Sequence, residues 1–249
     1  MQASCHHPPV TTNDSAASYD AGLMAAVADL ATALRDLIEV TVVTTVGTDE
    51  VRAAAELVRA ATPALGAARR PASQLPSLDD PAAGRRVYNP VSGIGSPLAP
   101  PLAIRRVEGG RPGEVTAEAT LGVAYEGPPS YLHGGMSALF MDQLLGAAAG
   151  AAGLWGMTAR LELDYRRPVP LETRLVMRAA VTENTGRKTV LTGTIATVAA
   201  AEQTLVEARG IFVQPRPELV AAYFGSITDA AGRHTPPRRP SDATATAQD

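Results

Sequence analysis

One cysteine, Cys5, stands in a chain of 249 residues. It has no partner for an internal disulfide, a paired-cysteine metal site is excluded, and a reducing compartment fits. Aromatic residues make up only 4% of the chain, so the core implied by a 45% apolar fraction must be built from aliphatic and small side chains. Charge of one sign is also lacking. A formal net charge of −3 gives no field that gathers nucleic acid, and any anionic ligand must be held by local basic residues. No apolar run is long enough to cross a bilayer: residues 144–154, the most apolar stretch, number 11. The opening MQASCHHPPVTTNDS has no basic segment followed by an apolar one, so no secretory signal is expected. His6 and His7 lack further spaced ligands, and no metal or cofactor is expected. Together these features predict a cytoplasmic protein without a membrane span.

Punctuation along the chain divides it. Residues 1–18 are polar and read as a disordered tail. A helical extension follows over 19–69. In its first helix, 19–40, Leu23, Val27, Leu30, Leu34 and Leu37 recur at three- and four-residue spacing and mark one apolar face. A second helix, 48–61, has Thr48 or Asp49 as its cap and Pro63 as its stop. Residues 70–101, rich in Pro, Arg, Ser and Asp, read as an extended strap, and 216–249 as a mostly disordered extension.

Between strap and extension, residues 102–215 show strands around one helix. A hairpin over 102–108 and 114–121 turns at Gly109–Gly113. A long helix is expected from about Gly134 to Gly153. In 160–166, Leu161, Leu163 and Tyr165 alternate with Arg160, Glu162, Asp164 and Arg166, as a half-buried antiparallel strand requires. Strands over 173–183, 188–198 and 204–213 follow. The layout predicts an α+β fold: a curved antiparallel sheet around one helix, kept slim by Gly146, Gly150 and Ala147–Ala149.

The chemistry concentrates in AYEGPPSYLHGGMSALFMDQLLGAAAG, residues 124–150. His133-Gly134-Gly135 sits at the helix start, where free backbone N–H groups suit a developing oxyanion. Asp142 lies two turns further on among Ala138, Leu139, Phe140, Met141, Leu144 and Leu145. A carboxylate there is costly unless it is paired or has a function.

His133-Gly134-Gly135, Asp142 nine residues after the histidine, Thr158, and the run Tyr165-Arg166-Arg167-Pro168-Val169-Pro170-Leu171 together resemble the PaaI-like and THEM4-like branch of hotdog thioesterases. The resemblance covers about 106–215. It implies a hotdog fold and hydrolysis of acyl-CoA to free acid and CoA, a step of lipid metabolism. Asp142 would activate water or act as nucleophile, the Gly134-Gly135 helix start would form the oxyanion hole, and Thr158 and His133 would assist. It also implies CoA phosphate contacts at Arg187 and Lys188, with Arg166-Arg167 a second basic pair. Gly135 and Asp142 are seven residues apart, about 10 Å along one helix, so one carbonyl cannot reach both in one chain. A homodimer or dimer of dimers is expected, with sites at a two-fold interface. The carrier is CoA or, alternatively, acyl-carrier protein. Small residues Ala147, Ala148 and Gly150 leave room along the helix and favour a medium or long aliphatic acyl group, with aromatic acyl groups also open. Gln143 needs no special role, Tyr131 reads as a lid or packing residue, and Trp155 reads as packing, placed just after the helix where an acyl tunnel would border it. The alternative function is a non-catalytic acyl-CoA-binding hotdog module. A hydratase reading lacks the Asp and His spaced five residues apart that it would need, and a purely structural oligomer leaves Asp142 unexplained.

Overall fold

The computed structural model describes residues 21–68, 87–154 and 156–224. The expected tails at 1–18 and 225–249, part of the strap, and Trp155 lie outside the described residues. Among the described residues, six strands form one antiparallel sheet: β1 (Arg105–Arg106), β2 (Val115–Thr120), β3 (Met157–Tyr165), β4 (Arg174–Thr185), β5 (Lys188–Thr197) and β6 (Val206–Val213). Their order is β1-β2-β4-β5-β6-β3. The helices are α1 (Ala21–Val43), α2 (Thr48–Gly66), α3 (Gly134–Ala151) and α4 (Pro217–Phe224). Among the described residues, no helix is long and apolar enough to cross a membrane.

The fold is the expected α+β hotdog, with the sheet curved around α3. Alternation explains it locally: in β6, Val206, Ala208, Gly210 and Phe212 are buried while Glu207 and Arg209 are exposed. The four buried positions face α3, whose Phe140, Met141, Leu144, Leu145 and Ala148 are wholly buried. Leu175, Met177, Leu191 and Ile195 of β4 and β5 complete this core. Gly186, with φ of +58°, turns β4 into β5.

Ala148 and Ala149 lie buried against the sheet as a slim helix requires, but the glycines that permit the close approach are not those read from the sequence. A Cβ on Gly146 would make only an ordinary 3.6 Å contact with Phe212, and one on Gly150 would meet nothing. The glycines that matter are in the sheet. A Cβ on Gly193 would lie 2.4 Å from Met141 Cε and 2.7 Å from the Arg178 carbonyl oxygen, and one on Gly210 would lie 2.9 Å from Leu145 Cδ1. Ala148, read as leaving room for an acyl chain, is instead buried in the core.

The N-terminal segments also depart from expectation. Of the expected apolar face of α1, Val27 and Leu34 are half-buried but Leu23, Leu30 and Leu37 are exposed, and Ala31 is the helix's one buried residue. In α2, Gly47 is the N-cap without a side-chain cap bond, so neither Thr48 nor Asp49 serves, and Pro63 lies inside the helix rather than ending it. The hairpin strand expected over 102–108 is reduced to the two residues of β1. Residues 87–102 form successive turns rather than an extended strap, and they bury Val87, Val91, Ser96, Ala99 and Leu102. Asn89 organises them: its Oδ1 accepts from the Val91 and Ser92 N–H groups, and its Nδ2 donates to Gln143 Oε1 on α3 at 2.9 Å. Gln143 therefore has a partner of its own beside Asp142.

Candidate active site

The segment before α3 is folded back on itself. Glu126 pairs with Leu132 and Tyr131 with Pro170 in isolated bridges. Ser130 turns the loop with φ of +68°, and its N–H donates to Glu126 Oε1 at 2.6 Å. Gly127 is required there, because a Cβ would lie 2.7 Å from His133 Cα. The loop delivers His133 as the N-cap of α3. Its imidazole Nδ1 accepts from the Gly135 N–H at 3.0 Å, satisfying one of the orphan donors of a helix start. Gly134 N–H has no acceptor among the described residues. The Gly134 carbonyl accepts from Tyr165 Oη at 2.8 Å. That carbonyl shares a peptide unit with the Gly135 N–H, so the bond polarises the unit and strengthens the N–H as a donor.

Asp142 lies two turns along α3, half-buried, and its Oδ1 accepts from Thr158 Oγ1 at 2.8 Å. Strict alternation would place Thr158 on the outer face with Arg160, Glu162 and Asp164. The register shows why it is not there. Thr158 pairs with Phe212 and Arg160 with Ile211, so Ala159 is an extra residue, a bulge in β3. One extra residue reverses the facing of everything before it. Thr158 thereby joins Leu161, Leu163 and Tyr165 on the side that faces α3.

These residues form two groups, one at each end of β3. Asp142 and Thr158 sit at its start, and the His133-Gly134-Gly135 turn meets Tyr165 at its end, with Gly134 and Asp142 about 12 Å apart along α3. Arg187 and Lys188 belong with the first group: Val213 of β6 pairs with Lys188 on one side and Met157 on the other. Arg187 Nη1 donates to the Gln214 carbonyl at 2.8 Å, and both side chains are exposed. Arg166 and Arg167 belong with the second. Arg166 is tied to Glu207 at 2.9 Å and to Asp164 at 3.5 Å, and the hydrogen bond to Glu207 pushes its pKa further up. The sequence places Tyr165 on the apolar face of its strand and in the run of family resemblance, with no role for its hydroxyl. The signal for that role was an aromatic ending a strand whose next residues, Arg166-Arg167-Pro168, leave it at the rim.

The Thioesterase superfamily model matches residues 130–198, which include the histidine-glycine turn, α3 and β3 to β5. Acyl-coenzyme A thioesterase THEM4 of Bos taurus is 38% identical over 94 residues, covering 37% of this chain and 38% of that protein. The Mus musculus protein of the same name is 34% identical over 98 residues, covering 39% and 41%. The chain thus spans about two fifths of the length of these curated relatives. A crystal structure described as a thioesterase superfamily protein is 33% identical with a TM-score of 0.64, covering 75% of this chain and 94% of that one.

Proposed function

The chain belongs to the thioesterase superfamily, and from that premise we propose that it hydrolyses acyl-CoA to the free acid and CoA. The observation that carries this reading is the Asp142–Thr158 hydrogen bond, made possible by a bulge that turns Thr158 out of its strand's alternation. A carboxylate held in this way by a hydroxyl can accept a proton from water as that water attacks the thioester carbonyl. The C–S bond then breaks and the thiolate leaves, taking up a proton. Direct attack by Asp142, giving a mixed anhydride that water cleaves, balances equally well. The oxyanion would be met by the Gly134 N–H, and by the Gly135 N–H once His133 Nδ1 yields it. Arg187 and Lys188, at the same end of the sheet as Asp142, would meet the CoA phosphates. Acyl-carrier protein is the alternative carrier, and the cytoplasm is the proposed location.

The separation of the two groups along β3 supports a homodimer. β3 is an edge strand with one side unpaired in the single chain. Antiparallel self-pairing centred on Glu162 would set Arg160 against the partner's Asp164 and bring Thr158 beside the partner's Tyr165, and with it the partner's Gly134. Glu162 would face its own copy there, each already ion-paired to Arg160 and Arg209. Dimers of dimers are compatible with the same pairing.

The test is hydrolysis of an acyl-CoA series, acetyl through palmitoyl with phenylacetyl and benzoyl, by wild type and Asp142→Asn, followed by thiol release. Turnover is expected in the wild type and its loss in the variant, with an unchanged circular dichroism spectrum. Near-normal turnover by Asp142→Asn would refute the assignment. Tight acyl-CoA binding without any turnover would favour the binding module instead.

A further inference from the structure

Helix α1 meets the rest of the chain through polar groups as well as through buried Ala31 and half-buried Val27. Arg35 Nη1 donates to the Ser96 carbonyl at 2.9 Å, while its Nη2 donates to Thr32 Oγ1 at 2.8 Å. One turn later, Glu39 Oε1 accepts from the Val123 N–H at 3.0 Å. Gly122 makes that approach possible, since a Cβ there would lie 2.4 Å from Glu39 Oε1.

Val123 opens a single 3-10 turn, Val123–Tyr125, and Glu39 satisfies the first of its orphan N–H groups. The turn closes on Tyr125, where several contacts converge. The Tyr125 carbonyl accepts from the His133 N–H at 3.0 Å. Its hydroxyl donates to the Leu98 carbonyl at 3.2 Å. Its ring meets Phe140, two residues before Asp142, edge-on at 6.2 Å between centroids. Burial pushes the Tyr125 hydroxyl pKa up, with Arg35 opposing and Glu39 adding to the rise, so the hydroxyl lies in the field of both α1 side chains.

We propose that Glu39 is a positioning residue for the site: from α1, its carboxylate fixes the Val123–Tyr125 turn, and Tyr125 fixes His133 and the two glycines that follow. The inference rests on the thioesterase reading and gives the N-terminal helix a part in it. A purely apolar docking of α1 would not need Gly122, nor would it place a carboxylate on the backbone N–H that opens the turn leading to His133. The contact lies on the chain path to the proposed oxyanion donors, so it bears on how the carbonyl is held rather than on whether CoA binds.

The experiment uses the full chain with Glu39→Ala, Glu39→Gln and Gly122→Ala. A misplacement of about 1 Å at a remote position can cost roughly 100-fold in rate. A partial release in Glu39→Ala is therefore expected to lower kcat on the order of 10-fold, with KM within about 2-fold of wild type. Glu39→Gln keeps an oxygen of the same reach and is expected to recover most of kcat. Gly122→Ala, which displaces the carboxylate from the other side, should resemble Glu39→Ala, and the double variant should be little worse than either. Amide exchange at His133 should rise in Glu39→Ala. Wild-type kcat in Glu39→Ala, or a fall confined to KM, would overturn the proposal, as would unchanged exchange at His133. A wild type without turnover would remove the thioesterase reading, and His133 exchange would then decide alone whether Glu39 holds the turn.

Discussion

Replacing Thr158 with valine removes one hydroxyl and leaves the shape of the side chain nearly unchanged. The lost contact is a 2.8 Å bond to Asp142 Oδ1. A hydrogen bond to a charged group contributes roughly 1.5–3 kcal/mol net. Thr158 is exposed in the single chain, so its effect on folding falls well below that range. A change under about 0.5 kcal/mol is expected, as for surface substitutions in general. Under the proposed mechanism the same bond has a larger part, because it would orient the carboxylate that activates water or attacks the carbonyl. At about 1.4 kcal/mol per factor of ten, losing it should lower kcat on the order of 10- to 100-fold. Steady-state hydrolysis of the best acyl-CoA substrate, beside a thermal melt of the same samples, separates the two effects. Thr158→Ser should stay within about 3-fold of wild type, since it keeps the donor and loses only a methyl group. A Thr158→Val enzyme with wild-type kcat would refute the reasoning, because the hydrogen bond would then be ornamental to the chemistry.

Glycines in the sheet and in the helix should respond oppositely to alanine. Gly193→Ala would press a methyl group against the Arg178 carbonyl and Met141, at about 1–3 kcal/mol by overpacking. Gly150→Ala, at an open helical position, should stabilise by about 0.5–1 kcal/mol. Thermal melts would show the two shifts, and a Gly193→Ala melt at or above wild type would contradict the packing described. Glu114 predicts a pH dependence. Its carboxylate accepts from the Arg111 backbone N–H at 2.8 Å, and that bond, with lesser help from the Arg111 guanidinium, holds its pKa below the usual carboxylate range. A lowered folded-state pKa contributes stability above the unfolded-state value and loses it as the pH falls through the folded one. The stability difference between wild type and Glu114→Gln should therefore be present at neutral pH and shrink in acid. A difference constant across that range would count against the contact.

The hotdog order of strands and helix was legible because hydrophobic alternation and turn residues carry it: β4, β5 and β6 begin within two residues of where the pattern places them. The seat of α1 was not legible. Periodicity selects Leu23, Val27, Leu30, Leu34 and Leu37, of which Val27 and Leu34 are half-buried and the rest exposed, while Arg35 and Glu39 bond to backbone groups far along the chain, and no hydrophobic pattern records such bonds. The same applies to the close packing of α3. Its own glycines drew attention, whereas Gly193 and Gly210 sit in strands where a side-chain pattern shows only gaps. In the candidate site, the pairing of Asp142 with Thr158 followed from family resemblance, and the bulge that permits it breaks the alternation on which strand reading depends. His133 shows a different limit. Its residue type fits an N-cap and a reacting group equally, and only the 3.0 Å contact from the Gly135 N–H shows which it is doing in the free chain.

The extra residue at Ala159 also bears on solubility. An unpaired edge strand is a template for indiscriminate strand addition, and natural sheets blunt such edges with charges and irregularities. β3 carries both: Arg160, Glu162 and Asp164 alternate along it, and the bulge interrupts its regular ladder near Met157. The regular edge is left as a short stretch, 160–165, whose charges suit a partner of the same sequence better than an arbitrary strand. Without Ala159, β3 would offer a longer unbroken edge, and the first sign of the change would be a protein that no longer stays dispersed.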